Sequence, residues 1–132
     1  NARVSVLIMD ARGSSSDNLT IDCGQGFTKA SYNLVVTNTK DGKTAETSFK
    51  YDVIVTLPEA LPEGISVTVD GKIGTASSDR KTVTISDVGR FAAGETQTRE
   101  HTMVFSVVNA NFLLRDYVFK NINVSVRAEQ IY

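Results

Sequence analysis

Val118-Phe119-Lys120-Asn121-Ile122-Asn123-Val124-Ser125-Val126-Arg127-Ala128-Glu129-Gln130-Ile131 is the stretch that decides the fold. Val118, Ile122, Val124, Val126 and Ala128 fall on one side of an extended chain. Asn121, Asn123, Ser125, Arg127 and Glu129 fall on the other. Successive side chains of a strand point to opposite faces, so the segment has one face for a core and one for water. That is the pattern of an antiparallel all-β protein.

The same rhythm recurs upstream. Phe49, Tyr51, Val53, Val55 and Leu57 share a face, opposite Glu46, Lys50, Asp52 and Thr56; Ile54 is the exception. From Arg99 to Val108, His101, Met103, Phe105 and Val107 share another. Ser31 to Asn38 and Thr82 to Ser86 also read as strands, with a shorter one at Leu19–Asp22 after a Gly/Ser loop from Arg12 to Asn18. Asp41-Gly42 and Asp70-Gly71 have the chemistry of tight hairpins. Pro58 and Pro62, the only prolines, lack the amide donor a central strand needs and mark a crossing between sheets. Thr75–Lys81 and Gly89–Glu95 read as loops, the second holding Phe91. Asn109 to Tyr117 breaks the period, and Phe112, Leu113 and Leu114 suit one helical turn near residues 110–116. The expected architecture is all-β: a jelly-roll-like antiparallel β-sandwich of about eight strands, one domain over residues 1–132.

Composition agrees. Val, Thr and Ile supply 38 of 132 residues, and β-branched side chains suit a pleated surface. A net charge of −1 with both signs interspersed gives no electrostatic footprint for nucleic acid or an anionic membrane. No apolar run approaches the ~20 residues of a membrane helix. No secretory leader opens the sequence, as in a processed mature chain or one never exported. Cys23 is the lone cysteine, so no intrachain disulfide forms; it sits in a turn-like Asp22-Cys23-Gly24-Gln25-Gly26 and reads as bland.

Residues with catalytic chemistry are sparse. His101 is the only histidine, which rules out a two-histidine zinc site within one chain. A Ser-His-Asp triad would need His101 in a cleft beside an activated serine, and no serine stands in a Gly-x-Ser-x-Gly elbow. A histidine on a strand beside Glu100 and Thr102 is the plainer reading. Gly24-Gln25-Gly26 lacks the rest of any phosphate loop. Asp10, Asp17, Asp22, Asp41, Asp70, Asp79 and Asp87 lie in loops without an EF-hand pattern and read as turn residues, with a metal near Asp10–Asp22 the weaker alternative. The sequons Asn18-Leu19-Thr20 and Asn123-Val124-Ser125 are matches expected by chance in such a chain. Tyr32, Tyr51, Tyr117 and Tyr132 form no stacking platform and read as core or rim. The expectation is a non-enzyme with no cofactor.

Val4-Ser5-Val6-Leu7-Ile8-Met9 reads as a first strand that is apolar on both faces. It is either an ordinary first strand or one that leaves to complete another subunit's sheet. Burying Val4, Val6, Leu7, Ile8 and Met9 at roughly 1.5–3 kcal/mol each would offset much of the cost of ordering so short a strand. A head-to-tail contact of this kind does not close, so it propagates as a filament.

Three segments carry a resemblance: Tyr32 to Asn38; Phe49 to Pro58, continuing through Leu61-Pro62-Glu63-Gly64-Ile65 and Val69-Asp70-Gly71; and Ile122 to Ile131. Together they resemble the TasA/camelysin family of exported Gram-positive proteins. The resemblance implies a jelly roll, secretion to the cell surface and a place in biofilm-matrix fibres. In such fibres the N-terminal strand, here residues 1–12, is donated to the neighbouring subunit. Implied partners are the chain itself, as a head-to-tail homopolymer, and other matrix proteins. Camelysin-type members have been classed as metallopeptidases, and this sequence has no motif onto which that activity carries over. The alternative is a monomeric cell-surface binding or adhesion module.

Overall fold

The computed structural model describes residues 2–7, 15–23, 29–40, 43–44, 47–62, 64–94, 97–107 and 117–131. They form an all-β sandwich. One sheet orders its strands β1 (Ala2–Leu7), β3 (Lys29–Thr37), β11 (Thr98–Val107), β7 (Ile65–Val69) and β8 (Lys72–Ile73). The other orders β2 (Ser15–Cys23), β12 (Tyr117–Gln130), β6 (Phe49–Thr56), β10 (Thr82–Phe91) and β9 (Thr75–Ala76). The ribbon β4 (Thr39–Lys40) and β5 (Lys43–Thr44) stands apart. Four of these elements are two residues long, and the remaining eight are the expected strands. No helix occurs among the described residues; the turn expected near 110–116 lies outside them.

The alternation does what it should. Phe49, Tyr51, Val53 and Val55 of β6 and Ile122, Val124 and Val126 of β12 are buried. Leu34 and Val36 of β3, Ile65, Val67 and Val69 of β7, and Met103 and Phe105 of β11 meet them from the opposite sheet. Along these five strands alternate side chains therefore enter one shared core, the driving force being removal of apolar surface from water.

The first strand corrects an expectation. β1 lies parallel to β3 of its own chain, with Val4 opposite Leu34, Val6 opposite Val36 and Leu7 opposite Thr37. It occupies the edge of its own sheet, so its donation to a neighbouring subunit, and the head-to-tail homopolymer built on that donation, are set aside. Ile8 and Met9 lie outside the described residues.

Three other readings change. Ser15 to Asn18, read as loop, belong to β2, where the long partner β12 supplies a ladder that local composition does not reveal. β4 and β5 pair on either side of Asp41-Gly42, Thr39 opposite Thr44, but the longer strands flanking them do not pair with each other: β3 pairs with β1 and β11, and β6 pairs in the other sheet. Gly89 to Phe91 are strand, not loop: β10 continues past a bulge between Ile85 and Gly89, which restores Phe91 to the core.

The proline-marked crossing from β6 to β7 is fixed by Arg80. Its guanidinium donates to the carbonyls of Leu61 (2.7 Å) and Pro62 (3.2 Å), and its own carbonyl accepts the Leu61 amide (2.8 Å). Arg80 adopts φ 57°, a left-handed conformation costly for a side chain with a Cβ and held here by those three bonds. No helix among the described residues is long and apolar enough to cross a membrane.

Candidate functional site

The one histidine faces inward from β11, between the sheets, and is 7% exposed. An inward polar group must find partners or bear its full desolvation cost. His101 finds two. Its Nδ1 lies 2.6 Å from Oδ2 of Asp70, and its Nε2 lies 2.6 Å from the hydroxyl of Tyr51. A carboxylate can only accept, so Nδ1 donates to Asp70, which leaves Nε2 facing the Tyr51 hydroxyl as its hydrogen-bond partner. Tyr51 reaches it from β6, in the opposite sheet, so the histidine links both layers of the sandwich.

Tyr51 is packed on every side. Its ring stacks on Phe91 at 5.5 Å and 24°, and the His101 ring meets it edge-on at 5.7 Å. Gly89, its register partner on β10, allows this, since a Cβ at Gly89 would overlap the phenol. Burial pushes the phenol well above its ordinary range; the nearby Arg99 opposes that rise and Asp70 adds to it. Arg99 itself lies over the Phe91 ring, 5.3 Å from its centre.

Asp70 carries the chain to the surface. It opens the β7–β8 hairpin at φ 51°, followed by Gly71 at φ 82°. Two consecutive left-handed residues make the tight turn that matches strand twist, which is why Asp-Gly stands there. The Asp70 carboxylate also accepts the Thr102 amide (2.8 Å), and its own amide donates to the Thr102 carbonyl (2.9 Å). The hairpin is thus tied to β11 at three points. Lys72 ties it to β10, its ammonium donating to the Asp87 carbonyl. Ile73, next along, is 72% exposed, the one exposed large apolar side chain among the described residues.

From Asp87 the polar surface continues onto the outer face of β6 and β12. The Asp87 amide, at φ 53° in the β10 bulge, donates to Asp52 Oδ1 (2.9 Å), and Arg127 donates to Asp52 Oδ2 (2.8 Å). Burial alone would raise the Asp52 carboxyl; the Arg127 bond, the Asp87 amide and the charges of Arg127 and Lys50 outweigh it and hold it below the usual range. Lys50 lies 3.8 Å from Asp87 and 3.7 Å from Glu129. Lys50, Asp52, Arg127, Ala128 and Glu129 line an open depression of about 320 Å³.

Of the self-assembly residues expected from sequence, Val4, Val6 and Leu7 lie on β1, away from the β8 edge. His101 keeps its place on the strand, but its partners are Asp70 and Tyr51; Glu100 and Thr102 point outward. Asp79 is the turn residue expected, accepting from the Ser77 hydroxyl (2.6 Å) and the Lys81 amide (3.0 Å). Asp17, Asp22 and Asn18 fall within β2, and Asp10 and Asp41 lie outside the described residues. No three His, Cys, Asp or Glu side chains gather as a metal-ligand set among the described residues. Asn123 is half-buried on β12, with its Oδ1 shielded and unpartnered among them. Sequence reasoning did not single out Asp70 with Tyr51, or the exposed Ile73. An inward histidine on one strand and an inward tyrosine on another were the available signal.

No protein-family model and no curated protein matches this chain. Among solved structures it is similar to PliG, a periplasmic inhibitor of g-type lysozyme, in three forms. A mutant of the Escherichia coli protein is 11% identical with a TM-score of 0.39, covering 97% of this chain and 98% of that one. The Aeromonas hydrophila protein is 6% identical at 0.37, covering 96% and 99%. The Salmonella Typhimurium protein is 11% identical at 0.34, covering 96% and 99%. At such TM-scores the sandwich assignment rests on this chain's own strand pairing. The TasA/camelysin resemblance is corrected: the structures found are lysozyme inhibitors rather than matrix fibre proteins, and the expected donor strand is docked at home.

Proposed function

We propose that this chain is a non-enzymatic binding module of an exported protein, and that it meets a macromolecular partner with the β7–β8 hairpin and the polar belt beside it. The observation that carries this is the hairpin itself. Ile73 is presented at 72% exposure on a turn fixed by a buried Tyr51–His101–Asp70 chain and by the Lys72–Asp87 tether. A lone exposed apolar residue is ordinary on a surface; one held on an immobilised turn has already lost the freedom that binding would otherwise remove. The belt of Asp87, Asp52, Lys50, Arg127 and Glu129, which starts where Lys72 meets Asp87, offers polar groups to one side of that apolar anchor, and protein interfaces generally combine the two.

The chemistry of the histidine supports the non-enzymatic half. Both ring nitrogens are occupied, and the phenol in the nucleophile's position is buried and pushed away from ionisation. A base already satisfied on both sides, facing a core, meets no substrate proton.

The test compares wild type with Ile73→Asp and Arg127→Glu for binding to a panel of extracellular proteins by biolayer interferometry. A g-type lysozyme is one member. A partner held by wild type and lost on Ile73→Asp supports the proposal. A partner indifferent to both substitutions places recognition elsewhere on the molecule.

A further inference from the structure

Asp-Gly is among the dipeptides most prone to a slow self-reaction, because glycine puts no side chain in the way of its own amide nitrogen. The glycine amide nitrogen attacks the aspartate side-chain carbon, the Cγ–OH bond breaks, and water leaves with the amide proton. Water then reopens the resulting succinimide at either carbonyl. One opening restores aspartate; the other leaves isoaspartate, whose main chain runs through the side-chain carbon and is one methylene longer. No oxidant or cofactor is required.

Asp70-Gly71 sits in the turn described above, with the aspartate side chain 45% exposed to water. Exposure and sequence both favour the reaction. The geometry opposes it. Oδ1 is engaged by the Thr102 amide at 2.8 Å and Oδ2 by His101 Nδ1 at 2.6 Å, so the carboxylate is turned across to β11 rather than toward its own following peptide. Asp70 is also fixed at φ 51° by the hairpin register, Thr68 opposite Ile73 and Val69 opposite Lys72. Attack by the Gly71 nitrogen needs both carboxylate bonds broken and the turn rearranged.

We propose that Asp70-Gly71 is a guarded isomerisation site, and that His101 is its guard. While the Tyr51–His101–Asp70 chain is intact, the site is silent. When the chain opens, Asp70 converts to isoaspartate, and the added methylene breaks the register that presents Ile73. The hairpin would then carry a lasting covalent record of how long it has spent unlocked. This is independent of what the hairpin binds.

The experiment incubates the folded protein at neutral pH and elevated temperature, and in parallel in concentrated urea. Isoaspartate at position 70 is then quantified by peptide mass spectrometry with electron-transfer fragmentation. The folded wild type should isomerise about tenfold or more slowly than the unfolded chain, because reaction is confined to local openings of the turn. His101→Gln, folded by circular dichroism, should accelerate it severalfold at position 70, and Arg127→Ala should not. Equal rates in folded and unfolded wild type overturn the proposal, as does a folded His101→Gln with the wild-type rate. Should His101→Gln not fold, the comparison of folded with unfolded wild type decides alone.

Discussion

The Tyr51–His101–Asp70 chain and the Asp52–Arg127–Lys50–Glu129 face use similar groups in opposite surroundings. The first runs from a tyrosine at 1% exposure through a histidine at 7% to the surface. The second lies on the outer side of β6 and β12, with Arg127 and Glu129 largely in water. A hydrogen bond in a dry interior is expensive to leave unmade, whereas an exposed ion pair is nearly offset by lost hydration and side-chain freedom. The buried chain should therefore govern stability and hairpin geometry, and the outer face should govern what the surface attracts.

Removing the link is the largest way to break that contrast. His101→Ala strands the Tyr51 hydroxyl and leaves a void between the sheets, and should cost about 2–4 kcal/mol in urea unfolding. A loss within error of zero would mean the chain is ornamental. Gly89→Ala approaches the same tyrosine from behind. Its Cβ would overlap the phenol, and overpacking should cost about 1–3 kcal/mol by the same measurement.

Tyr51→Phe sharpens the contrast through pH. It should cost about 1 kcal/mol at neutral pH. The wild-type phenol is held above its unfolded value, so its contribution is complete below about pH 10 and is lost as the pH rises beyond that. Urea unfolding through the alkaline range should fall more steeply for wild type than for Tyr51→Phe; parallel curves would contradict the shift. The smallest effect belongs to the outer face. Arg127→Ala should change stability by less than about 1 kcal/mol. Asp52 is held low, so its contribution is present above about pH 4 and fades as the pH falls. A loss for Arg127→Ala as large as that for His101→Ala would erase the distinction between the two regions.

The sandwich was legible where one face alone is buried. Phe49 to Leu57 and Ile122 to Ala128 announce themselves by period, and Asp70-Gly71 by turn chemistry. Legibility failed where pairing depends on distant partners. Ser15 to Asn18 have loop composition and are strand because β12 is beside them. Gly89 has the look of a loop and is strand because Tyr51 needs its missing side chain. The parallel docking of β1 on β3 leaves no local mark at all. The site was half visible. His101 and Tyr51 could each be placed on an inward face, but they stand 50 residues apart, and Asp70 stands 31 from His101 among several similar turn aspartates. Nothing in spacing says that these three meet; only the stacking of the two sheets does.

The clasp made by Arg80 on Leu61 and Pro62 has a practical corollary. A protease acting on the strap between β6 and β7 must lift that strap from the 77–81 loop, because the two segments grip each other through both main chain and guanidinium. Limited digestion of the native molecule should leave this joint uncut, and a nick there should not separate the fragments until denaturant is added.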